Sequence, residues 1–341
     1  IVSTDVPLLL CWAIALNAWV HLRKTPTWPR AVQLGAAVGL GMLSKYAMLF
    51  FLPALGLAFL FDKPTRQGLN TLKGYAAGAL TFLIVLPNIL WNIQNDFATL
   101  SHTVANANIQ NEIPFHPDEF LEFWADQLIV FGPISLILMF FAVRAALKKR
   151  LDDPAFWLSL FVLSPLLIIS FEAIISRANA NWAVTAYVAA PILIAHYGIK
   201  FREAEASRIG RVRTWLTGGV TLNVILGSVL SLITLVPFLA DILPGGANSF
   251  KRLREWPQTV EVLETRFQEG HEGQAFTMVA TDKRIIFYDL IYYGMPDTAP
   301  VKMWMYQTHP VNHAELTAPL PAQDGPVLIV NYHDNYVDEM Q

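Results

Sequence analysis

Long apolar runs, each interrupted by only a few polar residues, recur over the first 244 positions; beyond them apolar and polar residues mix as in an ordinary water-soluble unit. Set against the roughly 20 residues that a helix needs to cross a hydrocarbon core, the runs predict eight spanning segments, at about 5–22, 31–45, 46–61, 74–92, 127–147, 155–175, 182–200 and 214–240. The two runs flanking Ser44-Lys45-Tyr46 have about 15 residues each. At 1.5 Å per residue that is roughly 23 Å, short of a core of roughly 30 Å, so their connection is expected low, near the lipid headgroups. After Ser249 the pattern predicts a helix at 258–267, a strand at 276–280, a helix at 284–293 and strands at 301–306 and 327–331. Strands separated by a helix point to parallel pairing.

Composition turns this pattern into a class. The chain has 54% hydrophobic and 15% charged residues, where soluble domains carry roughly 25% charged. An all-α polytopic membrane region over 1–245, followed by a small α/β domain over 246–341, is therefore expected. The one cysteine, Cys11, allows no intrachain disulfide and no cysteine metal site. The α/β part has no GxGxxG or P-loop pattern, and His309 and His313 flank Pro310 in an expected loop, so neither a nucleotide nor a metal is predicted there. A net charge of -3 points to no nucleic-acid partner. No start methionine or leader precedes the first span and the chain stops abruptly at Gln341, so the sequence is read as lacking its N-terminal part, with its end open to the same reading.

Charge then orients the membrane region. Clustered bases fall at Arg23, Lys24 and Arg30; at Lys63, Arg66 and Lys73; at Arg144, Lys148, Lys149 and Arg150; and at Lys200, Arg202, Arg208, Arg211 and Arg213. These connections alternate with almost base-free ones, as the positive-inside rule requires of eight spans with the basic loops cytoplasmic. Of 24 Lys and Arg, 15 lie in these inner loops and seven in the tail, leaving Lys45 and Arg177 alone on the outer side.

A lone cation between apolar runs either snorkels to the membrane surface or holds an anion there. For Lys45 the outer placement suits an anion such as phosphate, and the residues alone leave that and snorkelling equally open. The outer stretch from Asn92 to Gln127 is acidic and aromatic; within it 117–127 is expected as an interfacial helix with Phe120, Leu121, Phe123 and Trp124 toward lipid. A connection this long is either solvated linker or a lid. Ser176 to Trp182 gathers Arg177, Asn179, Asn181 and Trp182 at a helix entrance, a polar cluster or an interfacial anchor. Asp5, after Thr4, is a site acid or merely a helix-end charge.

Four stretches in order carry a resemblance: Ser3-Thr4-Asp5-Val6-Pro7-Leu8-Leu9; Gly35 through Ser44-Lys45-Tyr46; Pro87-Asn88-Ile89-Leu90-Trp91-Asn92; and Ala180-Asn181-Trp182 with Ala186-Tyr187. Together they resemble bacterial glycosyltransferase family 39, nearest to the branch of rhizobial lipid A and core galacturonosyltransferases, over about 1–245 and loosely beyond. The resemblance implies a GT-C fold in the inner membrane and transfer of a sugar from a polyprenyl-phosphate donor to an acceptor on the periplasmic face, such as lipopolysaccharide core, lipid A or another glycoconjugate. It implies no metal or cofactor, and the charge alternation puts the α/β tail after Leu243 on the same outer, periplasmic side. It places the main catalytic acid, an Asp commonly followed by Glu, upstream of Ile1, and makes Asp5 a secondary acid.

Such a transfer needs a base for the acceptor hydroxyl and cations for the departing phosphate. On the resemblance, Lys45 or Arg177 would bind the donor phosphate; Tyr46, Asn92, Asn95, Asp96, Asn179, Asn181 and Trp182 would line the sugar site. A lipid or solute transporter is the competing class. It calls for mid-span polar groups and broken helices, whereas the interior offers little beyond Asn17 and Asn223. A scaffold anchored by eight spans is a third, with far more membrane than an anchor needs.

Overall fold

A computed structural model of the chain describes residues 3–95, 97, 115–148, 153–204, 209–236, 239, 255–305, 310, 312–322 and 325–332. The chain divides into two compact units: Ile1–Gln94 with Ala107–Gly227, and Asn95–Asn106 with Ser228–Gln341.

The first unit is helical. In order come α1 (Asp5–Lys24), α2 (Trp28–Ser44), a 3-10 turn (Tyr46–Phe50), α3 (Phe51–Phe61), α4 (Lys63–Leu69), α5 (Leu72–Gln94), α6 (Pro117–Val130), α7 (Pro133–Leu147), α8 (Pro154–Ile175), a second 3-10 turn (Ala180–Ala183) and α9 (Ala186–Ala204); α10 (Ile209–Leu235) runs on into the second unit. Four helices, α1, α5, α8 and most of α10, are long and apolar enough to cross a membrane, and up to six spans result if each of two sharply bent pairs counts as one. The protein is a multi-pass membrane protein. Among the described residues each of the eight apolar runs falls mainly on helix, but α2, at 17 residues, and the apolar 186–199 part of α9 are shorter than a full span, so four to six candidate spans stand where eight were expected.

Two bends were not visible in the apolar pattern. After Phe61 the chain turns by 105° into α4, because Asp62 accepts from the Thr65 backbone N–H and caps a new helix. Between α6 and α7 it turns by 106° at Gly132, whose φ of 83° is open to glycine without strain. Asn223 of α10 fixes this corner, donating to the Phe131 carbonyl at 2.9 Å and to Ser135 Oγ at 3.0 Å. The expected lipid-facing side of the 117–127 helix is corrected: Phe123 is fully buried, and Phe120 and Trp124 pack against the core, leaving Leu121, Leu128 and Ile129 outward.

The core centres on α1, whose Leu8, Trp12, Ala15, Trp19 and Leu22 recur every three or four residues on one face. Their rings continue across the bundle: Trp12 meets Phe51 at 5.1 Å, Phe51 meets Phe161 at 4.6 Å, and Phe161 meets Trp19 at 4.8 Å. α2 packs closely on α1 and α5, and at Gly35 the approach is so tight that a Cβ would collide with the Ala77 carbonyl.

The second unit carries α11 (Trp256–Glu269), β1 (Met278–Thr281), α12 (Arg284–Tyr292), β2 (Val301–Met303), α13 (His313–Thr317) and β3 (Val327–Ile329). The strands form a parallel sheet in the order β2-β1-β3, with Val279 beside both Val301 and Leu328. Val279, Ile286, Phe287, Leu290 and Met303 form its core. The expected helices and parallel strands are present, the strands shortened.

Candidate functional site

At the end of the first unit away from Arg23 and Lys24, which lie in the last turn of α1, three distant segments meet. α1 begins with Asp5, α2 ends at Lys45, and the second 3-10 turn brings Asn181. Lys45 is a single extended residue, φ -163° and ψ 135°, between α2 and the following turn, so its side chain is set by helix on both sides. Lys45 Nζ lies 2.6 Å from Asp5 Oδ1, and Asn181 Nδ2 donates to Asp5 Oδ2 at 2.7 Å. Ser3 Oγ donates to the same Oδ2 at 3.0 Å and accepts from the Asp5 backbone N–H at 3.2 Å. The pair is accessible: the side chains of Lys45 and Asp5 keep 24% and 15% of their surface. An ammonium has three donors, and Lys45 spends one on Asp5, leaving two for a ligand.

Beside it, the Tyr46 hydroxyl donates to Asn88 Oδ1 at 2.8 Å, and Asn92 Nδ2 donates to the Asn88 backbone carbonyl at 2.9 Å and to Asn88 Oδ1 at 3.3 Å. Tyr46 thereby ties the end of α2 to α5. Asn88 is the acceptor at the centre of this group.

The loop that presents Asn181 is held from below by Gln127 on α6. Its fully buried amide donates to the carbonyls of Phe123 at 3.0 Å and Ala180 at 3.2 Å, and its Oε1 accepts from the Tyr187 hydroxyl at 2.7 Å. Tyr187 stacks on Phe131 with ring centroids 4.1 Å apart. One polar residue thus joins α6, the 180–183 turn and α9.

Residues 1–91, which include Asp5, Lys45, Tyr46 and Asn88, match the family described as dolichyl-phosphate-mannose-protein mannosyltransferase. The chain is also 34% identical over 294 residues to the lipid A galacturonosyltransferase RgtD of Rhizobium johnstonii, across 85% of this chain and 58% of that protein. The chain is thus similar to this mannosyltransferase family over residues 1–91 and to a bacterial galacturonosyltransferase over most of its length. It spans a little over half the length of the curated relative it matches. No solved structure matches it significantly.

Measured against the residues expected from the family resemblance, the structure brings Asp5, Lys45 and Asn181 into one cluster and Tyr46 and Asn92 into its neighbour. Arg177 is exposed, with no hydrogen bond or ion pair among the described residues. The exposed Asn179 accepts at its backbone carbonyl from Trp182 N–H, and Trp182 packs partly on the core. Asn95 belongs to the second unit, and Asp96 lies outside the described residues. Asn88 and Gln127 were not singled out beforehand. Asn88 had a signal, its place after Pro87 in a quoted motif; Gln127 had only its spacing of four from Phe123 on an otherwise apolar helix face. Among the described residues no group of three His, Cys, Asp or Glu is placed to hold a metal ion.

Proposed function

We propose that this protein is a membrane glycosyltransferase that moves a sugar from a polyprenyl-phosphate donor to an acceptor at the periplasmic face of a bacterial inner membrane. Lipopolysaccharide core, lipid A or another glycoconjugate is the acceptor class. The observation that carries this reading is the Asp5–Lys45–Asn181 cluster: one accessible ammonium, oriented by a carboxylate, at the end of the bundle that carries few bases. Lys45 binds the donor phosphate with its two remaining donors and stabilises the charge that grows on it as the C1–O bond breaks. Asp5 holds that ammonium in place and, being occupied by Lys45, Asn181 and Ser3, acts as a positioning acid and not as the base that deprotonates the acceptor. Arg177, exposed and unengaged, closes on the phosphate from the 176–182 loop, while Tyr46, Asn179 and Trp182 border the sugar. Asn92, spent on Asn88, shapes this wall from behind.

All eight apolar helices cross or enter the bilayer in this reading, with the basic loops cytoplasmic and the region from 246 to 341 a periplasmic domain. The bends at Asp62 and Gly132 do not favour a transporter. Lys63 and Arg66 follow the first, which closes an apolar run, and an acidic helix leads into the second, which lies near the start of one, so neither is an interruption at mid-span.

The test is a reconstituted transfer assay with the full-length protein, a panel of polyprenyl-phosphate sugars and a glycolipid acceptor. Lys45→Ala and Arg177→Ala should each weaken donor binding and lower turnover. If both variants keep wild-type turnover and donor affinity, the phosphate assignment is wrong; if no panel member is turned over, the activity itself is.

A further inference from the structure

A second site lies at the other end of α1, remote from Asp5. A cavity of about 420 Å³ runs between α1, the start of α8 and α9, within the usual size range of a ligand pocket. Along α1 it follows one stripe, Ala13, Asn17, Val20 and Lys24, at helical spacing; Val188, Ile192 and His196 face it from α9. From Ala13 to Lys24 the stripe is roughly 16 Å long at 1.5 Å per residue, about half of a 30 Å hydrocarbon core. The trough is therefore the length of one leaflet's acyl layer.

Its polarity is graded. The deep end is aliphatic. Midway, Asn17 makes no hydrogen bond among the described residues, and Nε2 of His196 is buried with no partner. Unmade hydrogen bonds of this kind are costly in an apolar setting, which points to a ligand with polar atoms at that depth. At the mouth stand two opposite charges that do not pair with each other. Lys24 forms no ion pair among the described residues, and Asp153 uses Oδ1 to cap α8 through the Ala155 N–H at 2.8 Å, with no hydrogen bond to Oδ2. Arg23, also at the mouth, is already bound to Asp62.

An unpaired cation and an unpaired anion above a polar midpoint and an apolar trough match one chemistry, a zwitterionic lipid. We propose that this trough binds a single aminophospholipid of the adjacent leaflet. Its phosphate sits on Lys24, its ammonium on Asp153, its ester carbonyls on Asn17 and His196, and one acyl chain lies between α1 and α9. The site does not depend on the activity proposed above, because none of its groups belongs to the Asp5–Lys45 cluster.

Native mass spectrometry of the full-length protein, released from detergent in the presence of equal phosphatidylethanolamine and phosphatidylglycerol, tests it. One phosphatidylethanolamine per protein should be retained, preferred about tenfold, the scale of one hydrogen bond to a charged group. Asp153→Asn keeps the helix cap and should abolish the preference. Lys24→Gln should lower retention of both lipids about tenfold, and Ala13→Trp, which fills an exposed part of the trough, should displace the lipid while leaving the melting temperature of the lipid-free protein unchanged. Equal retention of the two lipids by the wild type, retention of added undecaprenyl phosphate in their place, or undiminished binding by Ala13→Trp would each overturn the proposal.

Discussion

Two acid–base pairs stand at opposite ends of the same helix, and they are built for different tasks. At the basic end of α1, Arg23 and Asp62 form a two-point contact at 2.7 and 2.9 Å with side chains only 9% and 1% exposed. Asp62 also takes the N–H and hydroxyl of Thr65, whose Oγ1 in turn accepts from Trp19 Nε1. Every group in that cluster is spoken for, and the cluster fixes α4 across the end of α1. At the other end Asp5 faces a lysine, a point charge on a flexible stem, through a single contact that remains open to a ligand. A closed, planar guanidinium pair is a fastener; an open ammonium pair with spare donors is the kind of group the proposed function requires. The presence of an ion pair does not distinguish the two, but its burial and its unused hydrogen-bonding capacity do.

The largest effect that could break this comparison is on stability. Asp62→Ala takes the two-point carboxylate contact from the buried Arg23 and should cost about 3–5 kcal/mol, whereas Asp5→Ala should cost about 1 kcal/mol or less; thermal unfolding in nanodiscs compares them, and equal losses would erase the distinction. Activity should move the opposite way. In the reconstituted assay Lys45→Ala is expected to lower turnover about 10²–10³-fold, as loss of a preorganised charge does. Lys45→Arg should restore only part of this, because a planar fork replaces a compact charge in a narrow gap. A smaller effect tests the support beneath Asn181: Gln127→Leu removes the amide that holds the Ala180 carbonyl and the Tyr187 hydroxyl, and should destabilise by about 1–3 kcal/mol while raising the donor KM more than it lowers kcat.

The smallest concerns the second unit. Burial on α12 raises the Asp289 carboxyl above the ordinary range, so its ionised form carries a cost in the folded state. That cost is present above the raised value, is relieved as pH falls through it, and vanishes below the ordinary value of an unfolded Asp. Asp289→Asn should therefore protect α12 amides slightly at neutral pH, within the roughly 0.5 kcal/mol of a mild substitution, with the advantage fading in acid. Hydrogen exchange across 284–292 measures it.

The helices and the parallel sheet were legible in the sequence because both follow from periodicity, a local property. The candidate site was legible only in part. Lys45 stood out as a cation between apolar runs, and Asn181 through its motif, but Asp5 lies 40 residues from the first and 176 from the second. No local pattern says that these three meet; the packing of α1 on α2 and α9 decides it. The same limit explains α6, whose aromatic face was expected against lipid. Periodicity shows that a face is apolar without saying whether protein or lipid covers it, and around Phe123 it is protein. Arg23–Asp62 escaped notice for the same reason, since Asp62 reads locally as a loop acid among bases.

The single extended residue between α2 and its following turn has one more consequence. With helix on either side, the Lys45 backbone is held at a fixed height along the bundle and the contact with Asp5 keeps its ammonium near that level, in effect a notch on a ruler held upright in the bilayer. A lipid-borne phosphate also rides at a nearly constant height, set by its own tail. Under the proposed function the protein would not have to search for its donor in three dimensions: lateral drift within one plane would bring the two charges level, and inserting a residue beside Lys45 would shift the notch and not merely loosen it.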